Sequence, residues 1–207
     1  MGSMSQTGYW IIGALGQDAL DALLERVGAS AFEPMPSGLV GRWHAMDEVD
    51  VVGPAHPGHG TACPTDPAVL FQEELLSLRP DPDVLDACIA AVGEVGEEDR
   101  FVVAVRKGDP VAALFYGLGS AAALSLPGRA GCFLVHADAQ ADLLEIERLL
   151  DVSAHDRARF AGRVSQWLET MGDQPDLDPI ELLDGPLRLV HRAREARTGL
   201  VAVMQWY

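Results

Sequence analysis

Residues 101–117, FVVAVRKGDPVAALFYG, constrain the fold more than any other stretch of this chain. Two apolar runs rich in Val, Phe and Tyr flank the polar break Arg106-Lys107-Gly108-Asp109. β-Branched and aromatic residues suit strands, and a glycine accepts the positive φ of a tight turn, so the stretch predicts a β-hairpin. Both side-chain sets of each limb are apolar. Phe101, Val103 and Val105 oppose Val102 and Ala104; Val111, Ala113 and Phe115 oppose Ala112, Leu114 and Tyr116. A strand apolar on both faces needs cover on both, which places this hairpin centrally in its sheet.

Around it the pattern alternates between helices and short strands. A strand is expected over 9–15, then a helix over 17–27 with Leu20, Leu23, Leu24 and Val27 on one stripe and Gly28 at its C′ position. A weaker alternation over 39–46 suggests another strand. Asp66-Pro67 and Asp81-Pro82 each set an N-cap before a proline at N1, opening helices to Leu78 and to about Val92. Residues 121–126 read as a strand, 131–136 as a firmer one, and 138–150 as a helix. Ser153 and Asp156 resemble a capping box, opening a helix to about Met171 whose buried stripe is Phe160, Val164, Trp167, Leu168 and Met171. Asp178-Pro179 caps a last short helix. A C-terminal hairpin closes the chain: 187–193, a turn at Arg197-Thr198-Gly199, then 200–207. The expectation is an α+β fold with a mixed, largely antiparallel sheet, the central hairpin within it and helices packed on it. Residues 9–20 and 132–143 align without gaps as two strand–turn–helix units, a similarity that any two such units share.

The 207 residues suit a single domain over 4–207, with Met1-Gly2-Ser3 read as a cloning remnant. No apolar run reaches the ~20 residues of a membrane span, and no signal peptide opens the chain. Three cysteines at scattered positions argue against a disulfide framework, so the expected location is the cytoplasm. Charge is the largest deviation: 31 acids against 15 bases give a net −16, of which −13 falls in residues 1–100 and −3 in 101–207. That balance disfavours nucleic-acid and anionic-membrane partners. It suits a basic protein partner met by an acidic face, gathered at Asp47, Glu48 and Asp50 and at Glu97 and Glu98.

Two other groupings carry candidate chemistry. Residues 47–65 hold three prolines and three glycines, which rule out regular structure over much of their length. Within them His56, His59 and Cys63 stand as H-x2-H-x3-C, an imidazole and thiolate set suited to zinc or another divalent metal. The second grouping is Arg188, Arg192 and Arg194. On a strand all three guanidinium groups leave one face, as an anion or partner contact; the alternative is that they pair with the protein's own acids. No G-x-S-x-G elbow, Walker loop, G-x-G-x-x-G or H-E-x-x-H is present. Cys88 and Cys132 fall on apolar faces as inert thiols, while His136 ends a strand ahead of a helix. The expected function is a soluble, non-catalytic binding protein of the toxin-neutralising or escort kind. The alternative is a small metal-dependent or cysteine/histidine enzyme with its site at His56, His59 and Cys63.

Overall fold

A computed structural model describes residues 7–33, 52–53, 63–171 and 177–207, with the backbone alone at 52–53 and 63–64. Strand β1 (Thr7–Leu15) leads through Gly16 into helix α1 (Gln17–Val27). The helix ends as its sequence requires: Gly28 takes φ 79° and returns its N–H to the Leu24 carbonyl at 2.8 Å. A two-residue ribbon follows, β2 (Val52–Gly53) against β3 (Cys63–Pro64). Next come α2 (Asp66–Ser77) and α3 (Pro82–Gly93), each with proline in its first turn. A 3-10 turn at Glu97–Asp99 delivers β4 (Arg100–Arg106). After it stand α4 (Pro110–Leu118), α5 (Ser120–Ala123), β5 (Phe133–Val135), α6 (Gln140–Leu150), α7 (Ala154–Met171), α8 (Glu181–Ala196) and β6 (Gly199–Trp206). The four longer strands form an antiparallel sheet in the order β4-β1-β6-β5, and the fold is α+β.

Two expectations about this sheet fail, for one physical reason. The second limb of the 101–117 hairpin is the helix α4, and its first limb, β4, lies at the sheet edge. Asp109 caps α4, accepting hydrogen bonds from the N–H groups of Val111 at 2.7 Å and Ala112 at 3.1 Å, and Pro110 fills N1. Residues 110–117 are all buried, so no polar position marks a period, and an unbroken apolar run fits a buried helix as well as a strand. β4 alternates cleanly instead: Phe101, Val103 and Val105 are buried, while Val102 is 52% exposed.

The C-terminal hairpin also dissolves, since 187–193 belong to the sixteen-residue α8. Gly185-Pro186 reads as a break in the sequence, yet both lie buried inside the helix. Gly185 is there for contact, because a Cβ on it would stand 2.1 Å from Cε2 of Phe101. The expected strand over 121–126 is likewise the short α5 and a turn. The expected strand over 39–46 lies outside the described residues.

The register sorts the two faces. Trp10, Ile12 and Ala14 share a side with Met204, Ala202, Leu200, Val103 and Phe101; α8 and α4 cover it, and α7 backs α4. Gly13, Val201 and Val203 point the other way, where α3 lies with α1 beside it. A Cβ on Gly13 would meet Val92 of α3 at 2.8 Å, so the glycine sets how closely that helix approaches. One contiguous core results, with Trp10, Trp167 and Phe160 among its largest fully buried side chains.

Candidate functional site

A cleft of about 820 Å³ opens where the Glu97–Asp99 turn faces α8. Glu97 and Glu98 line it from one side, and Asp184, Leu187, Arg188, His191, Arg192 and Glu195 from the other. Helical geometry redistributes the three arginines. Arg188 and Arg192 are four residues apart and share a face, whereas Arg194 points about 200° away. Arg192 donates its Nε–H to Asp99 Oδ1 and places Nη2 3.5 Å from Glu98 Oε1. Its guanidinium pKa is raised, first by that hydrogen bond to Asp99. Arg194 reaches Glu147 of α6, which His191 also approaches at 3.4 Å. Arg157 of α7 holds Asp184 at 2.6 Å, and Arg100 lies 3.6 Å from Glu97. The structure therefore brings part of the expected acidic face and part of the expected arginine set onto one surface. Much of each sign there is already met by the other. Among the described residues Arg188 has no ion-pair partner.

His56, His59, Asp47, Glu48 and Asp50 lie outside the described residues, and Cys63 is placed only as backbone opposite Gly53. Among the described residues no trio of His, Cys, Asp or Glu is arranged to hold a metal ion. Cys88 and Cys132 are free and buried. Burial pushes their thiols up to about 11 and about 12, which leaves almost no thiolate at neutral pH. His136 stands at the end of β5, its Nδ1 2.9 Å from Gln17 Nε2. That amide also donates to Asp21 at 2.7 Å, and Gln17 Oε1 accepts the Ala137 N–H at 2.9 Å. Gln17 thereby ties the start of α1 to the end of β5.

Two features escape the sequence reading. Asp109 is 2% exposed, and burial, countered by the two helix N–H groups and by Arg79, pushes its carboxyl up to about 6. Arg79 crosses the Trp206 ring at 5.8 Å, and burial lowers its own pKa. The signal for Asp109 was legible, being the same Asp-Pro device that opens α2 and α3. The second feature is the outer surface of α1. Asp18, Asp21 and Glu25 repeat at i, i+3 and i+7 and are exposed, forming one row of carboxylates. Asp21 has His136 at 3.9 Å, and Asp18 and Glu25 have no ion-pair partner among the described residues. No family model, curated protein or solved structure matches the chain.

Proposed function

We propose that this chain is a non-catalytic binding protein that engages a basic protein partner, in the manner of a neutralising or escort protein. The observation that carries the reading is the carboxylate row Asp18, Asp21 and Glu25 on the rigid face of α1, in a chain of net charge −16. A row of like charges held on a helix raises the local potential, steers an oppositely charged protein to it and repels acidic competitors. The arginine-bearing cleft is the weaker choice, since Asp99 and Glu98 already occupy its Arg192. The free thiols of Cys88 and Cys132 accord with a cytoplasmic setting, and no described helix is long and apolar enough to cross a membrane.

The experiment is affinity capture from the native host followed by association kinetics with the captured protein. The expected partner is basic, its association slows steeply as salt rises, and the triple variant Asp18→Asn, Asp21→Asn, Glu25→Gln slows it by about tenfold or more. A partner that binds the triple variant at the wild-type rate removes α1 as the binding face. The enzymatic alternative rests on His56, His59 and Cys63. Stoichiometric zinc in tag-free protein, lost in His56→Ala, would replace the binding reading with that one.

A further inference from the structure

Gln17 opens α1 with a side-chain amide that serves three partners at once. Its Oε1 accepts the Ala137 N–H at 2.9 Å, while its Nε2 donates to Asp21 Oδ1 at 2.7 Å and to His136 Nδ1 at 2.9 Å. The Ala137 N–H can only donate, so it fixes which end of the amide carries the oxygen. The nitrogen end can only donate as well. His136 Nδ1 is therefore the bare, accepting nitrogen, and the neutral ring carries its proton on Nε2. A second proton on the ring breaks this arrangement, because Nδ1–H would face the Gln17 N–H, donor against donor. Flipping the amide would satisfy His136 at the expense of the other two partners. Nε2 would then face the Ala137 N–H, and Oε1 the Asp21 carboxylate. No orientation of Gln17 serves all three once Nδ1 is protonated.

Asp21 supplies the alternative. Its Oδ1 stands 3.9 Å from the same Nδ1, and the two side chains are 60% and 40% exposed, which gives the ring room to turn and a proton access to it. Among the described residues no other carboxylate lies within 4.0 Å of the ring nitrogens. The remaining charges on the elements around it are Asp18 on α1, Asp138 in its own turn, Asp142 on α6 and Arg197 ahead of β6. The Arg197 turn lies against the end of β5, where a Cβ on Gly199 would stand 2.2 Å from the Val135 carbonyl oxygen. None of these four forms an ion pair with His136. We propose that His136 is a pH-operated latch on the acidic row of α1. Neutral, it holds Gln17 and leaves the row with its three charges. Protonated, it releases Gln17, turns to Asp21 and cancels one of them. The same step frees the Ala137 N–H and unties the start of α1 from the end of β5. Histidine changes its charge between about pH 5 and 8, which sets the range of the switch. Its effect on a basic partner rests on the role proposed for α1; its operation does not.

Hydrogen exchange and side-chain amide NMR on the full chain, across about pH 8 to 5, test the latch. The Ala137 N–H, corrected for its intrinsic exchange rate, should lose protection several-fold as pH falls. The Gln17 amide resonances should move over the same pH range as those of the His136 ring. His136→Asn places a non-titrating acceptor near the Nδ1 position and should hold both readings level. A wild-type Ala137 N–H whose protection ignores pH overturns the proposal, as does a His136→Asn chain that still responds. A hexalysine peptide then reads the charge of the row. Its affinity for wild type should fall by about threefold or more across that range, beyond any fall seen with His136→Asn. If hexalysine discriminates against the triple variant Asp18→Asn, Asp21→Asn, Glu25→Gln, yet responds to pH alike in wild type and His136→Asn, no charge is cancelled and the proposal is wrong. If it binds the triple variant as tightly as wild type, the role of α1 as a partner face fails, and the exchange data alone decide the latch.

Discussion

Asp109 shows how one carboxylate sets local structure and responds to pH. Its side chain closes the first turn of α4 while almost wholly withdrawn from water. Its folded pKa of about 6 lies above the 3.8 of a free carboxyl, so between those values the folded chain binds the proton that the unfolded chain has lost. Stability from this group is therefore fully present below about pH 4 and is lost as pH rises through 6. Urea titrations should show wild type losing on the order of 1–3 kcal/mol across that window relative to Asp109→Asn, which keeps a capping oxygen but does not titrate. A difference that stays constant with pH would mean that the carboxyl ionises as freely when folded as when unfolded. Cys88 and Cys132 give a second expectation at this scale. Being buried and protonated, they should resist alkylation at neutral pH until the protein unfolds, as mass spectrometry of the labelled peptides can follow.

Among the elements, those with two chemically distinct faces were legible. α1, α3 and α7 announce their buried stripes, and their ends are marked by Gly28, by Asp81-Pro82 and by Ser153, whose Oγ receives the Asp156 N–H at 3.2 Å. α4 and α8 were not. A helix buried all round has no polar phase to read, and a Gly-Pro pair within a helix looks like its end. Gly185 resolves the second case, because α8 needs it in order to sit on the Phe101 ring. Gly185→Ala should cost roughly 1–3 kcal/mol through overpacking, although alanine is the better helix former. Pairing it with Phe101→Leu should recover part of that loss. Thermal melts of the two single variants and the double variant give the coupling, and additive losses would place the strain elsewhere.

At the scale of the whole molecule the sequence says least, because what joins the parts is remote in number. Glu98 and Arg192 were each legible as candidate contacts, but nothing local states that they share a cleft. Nor does any local pattern say that β6 lies between β1 and β5. Strands β1 and β6 pair along their full length although nearly the entire chain separates them, and Thr7 and Tyr207 exchange both backbone hydrogen bonds at 2.8 and 3.0 Å. In the language of kinetics, the central ladder closes the largest loop the chain can make, and each doubling of such a loop adds ~0.6 kcal/mol of entropy to the folding barrier. A circular permutant that links Tyr207 to Thr7 by a few glycines, and opens between Asp151 and Val152, turns that ladder into a hairpin. Stopped-flow refolding of the permutant should be several-fold faster than that of the parent, with unfolding little changed. Equal refolding rates would mean that the parent chain nucleates elsewhere and closes its ends only after the barrier is crossed.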